Sequence, residues 1–156
     1  MRVKATQLAA LLLCALSLAV ADDKPLDALK AEAQRADHPR LYAEVVRRQV
    51  EVANDLYTAG DVAKAEATIN EIVSFTEKCL EAAQTGKERK LKSTELTLYR
   101  ASRRLEEVRR SLNFDDQPKV KSAVDAIEKT RRELLVIMFG KKEPKADERP
   151  PEESRQ

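Results

Sequence analysis

The chain offers few side chains of the kinds that perform catalysis or bind metal ions. Its only histidine is His38, and its two cysteines are Cys14 and Cys79. No H-x-x-x-H or C-x-x-C pair occurs, so two spacings typical of zinc sites are missing. Carboxylates are plentiful, as on any solvated helix, and no pair among them is singled out for acid–base work. The sequence therefore predicts that the protein is not an enzyme, with no catalytic residue, no metal site and no cofactor.

His38 and Cys79 are both interpreted as structural residues. His38 lies between Asp37 and Pro39, at a junction between predicted helices. With no second histidine available, a junction role is favoured over metal binding. Cys79 falls on the core side of its predicted helix, and buried structural thiols are inert.

A group of basic residues on one predicted helix is the first candidate for binding. At 100° per residue these side chains fall within an arc of about 80°, opposite the apolar stripe of the helix. Such a ridge suits an anionic partner, such as a cell-envelope polymer or an acidic protein, although a solvated helix surface has a similar composition. The residues of this basic ridge are Arg89, Lys92, Arg100, Arg103 and Arg110.

The second candidate is the apolar segment LLVIMF, residues 134–139. It is apolar on every side, whereas a helix of a two-layer bundle buries only one side. Leu134 and Ile137 are predicted to face the core. The other side chains must meet either the short N-terminal helix or a second molecule. These candidate partner or dimer residues are Leu135, Met138 and Phe139.

The elements that position these residues are predicted from apolar side chains at steps of three and four and from the places of glycine and proline. Helices are expected at about 25–36, 39–58, 62–84, 88–112 and 118–139. Their similar lengths and short connections favour an all-α, antiparallel four-helix bundle made of two helical hairpins, with a short N-terminal helix.

The junction at Gly86 leaves two alternatives open. A glycine inside a helix costs only about 1 kcal/mol relative to alanine, so the second and third long helices could form one rod. A turn is preferred, because Thr85 and Glu88 have the spacing of a capping box.

Leucines at intervals of seven, from residue 91 to residue 112, resemble a basic leucine zipper that follows the basic run KERK. If these leucines occupied position d of a coiled-coil heptad, position a would fall on Glu95, Ser102 and Arg109. A parallel two-stranded zipper needs apolar residues at position a, and none of these three is apolar. The leucines are therefore interpreted as the packing stripe of a bundle helix. No nucleic-acid partner is expected.

The first 21 residues predict export. Cations at positions 2 and 4 precede an apolar stretch at residues 8–20, and Ala-Val-Ala at 19–21 is a cleavage site of the secretory type. The apolar stretch is shorter than the span of about 20 residues that crosses a membrane. Because leucine precedes Cys14, lipid attachment there is disfavoured. We expect cleavage after Ala21 and a periplasmic or secreted bacterial protein without a transmembrane segment.

The expected mature chain is one domain, residues 22–140, followed by a disordered charged tail, residues 141–156. It carries 27 basic and 27 acidic residues, divided unevenly. Residues 22–86 have a net charge of −5 and residues 87–156 one of +5. Cys79 has no partner left for a disulfide, so the core alone must hold the domain together.

The stretch LYTAGDVAKAEATI, residues 56–69, resembles the turn between the two helices of a tetratricopeptide repeat. Gly60 and Asp61 supply the turn, Ala65 follows the glycine by five residues, and Ala53 lies on the preceding helix. The resemblance covers one hairpin, with no second copy after it. It implies a groove that binds a protein.

Taken together, the sequence predicts an exported, non-enzymatic helical-bundle protein that serves as an interaction or structural module, through a protein partner or through self-association. The alternative is a periplasmic carrier with a ligand or cofactor pocket between its helices.

Overall fold

The computed structural model of the protein describes residues 24–86 and 91–140. These ranges contain helices and connections but no strand, which confirms the predicted all-α class. The expected signal peptide and charged tail lie outside the described residues, as does Arg89. The helices are α1 (Leu26–Ala36), α2 (Pro39–Thr58), α3 (Val62–Gln84), α4 (Lys92–Ser111) and α5 (Gln117–Phe139).

Helices α2 and α3 form the first hairpin, and its turn follows from local chemistry. Gly60 has a φ of 79°, a conformation that glycine adopts without a steric penalty. Asp61 then caps α3, because its carboxylate accepts the backbone N–H of Lys64 at 3.4 Å. Far from this turn the Cys79 thiol meets the carbonyl of Pro39, so the two helices run antiparallel.

Helices α4 and α5 form the second hairpin. Arg109 Nη1 donates to Gln117 Oε1 at 2.9 Å beside the turn. Arg131 Nη2 donates to Glu95 Oε1 at 2.6 Å at the other end. The partners are 8 residues apart near the turn and 36 apart far from it, so these helices also run antiparallel.

The two hairpins lie side by side, α4 against α2 and α5 against α3. Arg104 pairs with Glu51 across the first contact, and Lys119 pairs with Glu66 across the second. Both pairs join residues 53 positions apart, and both lie near the hairpin turns. The turns therefore share one end of the molecule.

Helices α3 and α4 are separate helices and not one rod. Helix α3 ends at Gln84, and Gly86 turns the chain with a φ of 72°. Glu88 of the expected capping box lies outside the described residues. Although α3 and α4 are consecutive along the chain, they do not pack against each other.

The core runs between the hairpins. The leucine stripe of α4 faces it, since Leu91, Leu98 and Leu105 are 3% exposed or less. The zipper-like spacing is thus the inner side of one packed helix. The largest side chains with almost no exposure include Ile69, Ile72, Leu98, Leu105, Ile127 and Leu134.

Helix α1 covers the outer side of the first hairpin. Leu29 and Ala33 are buried against it, and α1 packs on α2 alone among the helices. A side-chain ion pair between Lys30 and Glu71 ties it to α3 as well. The end of α5 is therefore not covered by α1.

Candidate functional site

The basic ridge lies on the side of α4 that points away from the core. Lys92, Arg100, Arg103 and Arg110 are all exposed there. Arg110 Nε lies 3.1 Å from an oxygen of Glu106. The other three make no ion pair with the described residues, so their charges face solvent.

Two exposed apolar side chains interrupt this ridge. Leu96 is 42% exposed and Tyr99 is 41% exposed. At 100° per residue both point outward between Lys92 and Arg103. Neither residue belongs to the predicted basic ridge, which was defined by the charges on this side of the helix. The signal was available in the four-residue step from Lys92 to Leu96 and the three-residue step from there to Tyr99.

Arg131 of α5 links the ridge to the second helix of its hairpin. Its guanidinium carbon lies 4.6 Å from the centre of the Tyr99 ring, within cation–π range. It also donates to Glu95 at 2.6 Å and to Glu128 at 2.8 Å. Burial works against the charged form of Arg131, but hydrogen bonds to these carboxylates raise its pKa above the usual value.

Glu128 belongs to the same cluster. Burial works to raise its pKa, but the Ser102 hydroxyl and Arg131 outweigh that effect and lower it. Glu128 therefore stays ionised beside Arg131. The cluster fixes the relative position of α4 and α5, and no group in it is left as a free acid or base.

The end of α5 is apolar and largely open to solvent. Leu135 is 39% exposed and Phe139 is 75% exposed. Met138 is partly buried and packs against the core, so this member of the predicted patch faces inward. Ile137, predicted to face the core, is instead 41% exposed. The prediction for Ile137 was wrong because α3, the neighbour on that side, already ends at Gln84.

Exposed members of the two predicted sites lie on neighbouring turns of α4 and α5. Leu135 follows Arg131 by one helical turn, so both project from the same side of α5. Because α5 runs antiparallel to α4, this next turn leads toward the start of α4, where Lys92 and Leu96 stand. We call this surface the α4–α5 face, and its residues are Lys92, Leu96, Tyr99, Arg103, Leu135 and Phe139.

A groove between α3 and α5 is a second feature, and it was not predicted from the sequence. Its volume is about 530 Å³. Its lining includes apolar side chains, three acids and one cation, so its charged side chains are mainly acidic. The apolar residues are Val73, Leu80 and Ala126, the acidic residues are Glu77, Glu81 and Asp125, and the cation is Lys129.

Another groove, of about 520 Å³, lies between the starts of α2 and α4. It is lined by His38 and Arg40 among others. His38 is the residue just before α2, at the junction with α1, as its neighbours in the sequence predicted. In the described part of the chain no three His, Cys, Asp or Glu residues are grouped so as to hold a metal ion.

Cys79 has no solvent exposure, in agreement with its predicted core position. Its sulfur lies 3.3 Å from the Pro39 carbonyl oxygen, which the thiol reaches as a weak donor. This contact joins α3 to the first turn of α2.

Comparison of the chain with protein-family models, curated proteins and solved structures finds no match. The likeness of residues 56–69 to a tetratricopeptide hairpin thus gains no support from a family model. Among the described helices, none combines the length and the apolar character needed to cross a bilayer. What the fold defines is the class, an all-α protein of packed helices.

Proposed function

We propose that the protein acts by binding another macromolecule and not by catalysis. The observation that carries this proposal is the α4–α5 face. It exposes four large apolar side chains beside cations that make no internal ion pair, and exposed apolar clusters with a polar rim are typical of interaction sites. The partly buried ionisable groups beside it, Arg131, Glu95 and Glu128, are paired with one another, so none of the three is poised as an acid or a base.

The scaffold we propose for this surface is a four-helix bundle of two antiparallel hairpins laid side by side. The inter-hairpin ion pairs Glu51–Arg104 and Glu66–Lys119 support this arrangement. Such a scaffold suits a binding surface, because side chains on packed helices are held more rigidly than side chains on loops.

We also propose that the protein is exported and works in the periplasm or outside the cell. The support is the signal-like sequence of residues 1–21. N-terminal sequencing of secreted material should begin at Asp22, and material that keeps Met1 or carries lipid on Cys14 would contradict this.

The experiment that tests the function is affinity capture from cell-envelope extract after mild cross-linking. The bait is compared with a variant in which Arg100→Ser and Arg103→Ser remove two unpaired charges of the ridge. Arg35→Ser on α1 is the matched control, because it removes a charge from another surface. We expect the ridge variant to lose most of the captured protein and the control to keep it. Equal capture by all three baits would contradict the proposal.

A second candidate is a carrier of a small ligand, favoured by the groove between α2 and α4. Its volume of about 520 Å³ lies in the range of ligand pockets, about 300–1,000 Å³. Absorbance and native mass spectrometry of the purified protein distinguish this function. A bound chromophore or a defined added mass would favour the carrier.

A further inference from the structure

Two surfaces of the molecule have opposite charge and matching apolar side chains. The basic ridge projects from α4 as a convex edge, with Leu96 and Tyr99 between its cations. The α3–α5 groove is concave, with an apolar floor at Val73 and Leu80. Neither surface is covered by another described helix.

Two acids of the groove and two cations of the ridge lack ion pairs within the described part of the chain. Glu77 and Glu81 of the groove make no ion pair with the described residues, and neither do Arg100 and Arg103 of the ridge. The third acid of the groove, Asp125, pairs with Lys121, but both side chains of that pair are 62% exposed. Such an exposed pair contributes little and leaves Asp125 free to exchange partners.

The spacings of the two surfaces also agree. Glu77 and Glu81 are one helical turn apart, about 6 Å, close to the spacing of Arg100 and Arg103. Val73 and Leu80 are two turns apart, about 10.5 Å, and Leu96 and Tyr99 are separated by about 4.5 Å, so both can lie on the floor between Val73 and Leu80. A helix laid along the groove would thus have the apolar floor and the two acids within its reach.

We propose that the partner is a second copy of this chain, with the basic ridge of one copy lying in the α3–α5 groove of the next. This inference rests on the proposed binding function and names its partner. Leu96 and Tyr99 would contact the apolar floor, while Arg100 and Arg103 would pair with Glu77 and Glu81. Helix α3, one wall of the groove, belongs to the part of the chain with a net charge of −5, and the ridge and the other wall, α5, belong to the part with a net charge of +5.

The two contact surfaces differ, so the contact is heterologous. A subunit that offers its ridge to one neighbour still has an open groove for another. Assembly therefore continues beyond a dimer, into a ring or an open chain. Because the ion pairs lie at the rim of the contact, added salt weakens it by screening.

The test is a charge exchange followed by sedimentation of the purified chain. Arg103→Glu reverses the ridge, and Glu81→Arg reverses the groove. Each variant alone should sediment as a monomer, with association weakened at least about tenfold by like charges in contact. In an equimolar mixture each variant meets a complementary surface on the other, so association should return. Arg35→Glu on α1 is the control and should associate like the unchanged chain.

Circular dichroism shows whether each variant remains folded, and both changed positions are exposed and helical. Loss of association that the mixture does not restore would overturn the proposal, as would an unchanged chain that stays monomeric at every concentration and salt level. If the chain stays monomeric but still captures another protein through its ridge, this inference fails and the proposed function stands. Binding of the ridge to anionic lipid vesicles without self-association would also overturn the inference.

Discussion

The outer sides of the two hairpins differ in whether another helix covers them. Helix α1 covers the first hairpin and buries Leu29 and Ala33. No described helix covers the second hairpin. Its two helices are instead linked by Arg131 of α5, which pairs with Glu95 of α4 and with Glu128 of α5. In a stack of helical hairpins a terminal unit needs a polar or covered outer side. The first hairpin has such a cover, whereas the second combines polar pairs with exposed apolar residues.

This difference is the reason that we propose a binding surface on the second hairpin. Under α1 the rings of Tyr42 and Phe75 lie 6.1 Å apart in the closed core of the first hairpin. On the second hairpin Arg131 lies against the ring of Tyr99, and this residue is 41% exposed. An aromatic ring in this position offers a large contact area at a small entropic cost.

The largest expected effect separates the covered side from the open one. Leu29→Ala should lower the free energy of unfolding by about 2–3 kcal/mol, since a buried leucine leaves a cavity. Leu135→Ala, the same change on the open side, should cost about 1 kcal/mol or less. Urea unfolding monitored by circular dichroism measures both. Equal losses would mean that the end of α5 is covered after all.

The next effect tests the pairs that join the second hairpin. Arg131→Ala removes the partner of two partly buried carboxylates and should cost about 1–2 kcal/mol. Arg104→Ala is the matched control, because its pairs with Glu51 and Glu107 are exposed and worth about 0.5 kcal/mol or less. Thermal unfolding of the two variants side by side gives the comparison. A control as damaging as Arg131→Ala would show that burial does not set the strength of these pairs.

The sequence predicted the inner sides of the helices well, because burial imposes a period that a single helix displays. The stripe from Leu91 through Leu98 and Leu105 is an example. The pairing of the hairpins left no such signal, since Glu51 and Arg104 are joined only by the tertiary structure.

The candidate site was predicted in part for a related reason. The charges of α4 were visible as a ridge, and the helical steps from Lys92 place Leu96 and Tyr99 among them, but their exposure to solvent is set by the packing of α4 in the tertiary structure. At the end of α5 the core side shifts from Ile137 to Met138, and that shift depends on where the neighbouring helix ends. A sequence pattern taken one helix at a time does not contain that information.

The rate at which a thiol reagent labels Cys79 reports whether the first hairpin opens. A thiol reagent should modify it slowly in the native state and quickly after unfolding, because the sulfur is fully buried. Cys79→Ala should cost about 1–2 kcal/mol, at the lower end for a buried group. In the Leu29→Ala variant labelling should become faster, since the cover of the hairpin is weakened. Rapid labelling of the unchanged chain in its native state would contradict the burial of the Cys79 sulfur.

The smallest expected effect is the pH-dependent stability that comes from one motif present in both hairpins. Glu44 and Glu106 each precede two arginines, at three and four residues. Arg109 and Arg110 lower the pKa of Glu106 to about 2, against partial burial, and Arg47 and Arg48 lower the pKa of Glu44. Because 4.5 is the ordinary value, the stability from Glu106 is complete above that pH and is lost as the pH falls toward 2.

The loss should be less than about 1 kcal/mol, because these pairs are partly solvated. Unfolding of Glu106→Gln and Glu44→Gln at pH 6 and pH 3 measures it. Each variant should be less stable than the unchanged chain at pH 6, and the gap should narrow at pH 3. A gap that stays constant with pH would show that ionisation of these carboxylates is not its cause.

The separation of 53 residues between partners of neighbouring hairpins also bears on how the chain folds. Partners within a hairpin are closer in sequence, so each hairpin can close its turn at a low entropic cost. Docking of the hairpins must instead close a long loop, which costs more conformational entropy. That cost is offset only when several contacts between the hairpins form together. We therefore expect the turns at Gly60 and Asp116 to form early, and the seam between the hairpins to be the part that gives way first during unfolding.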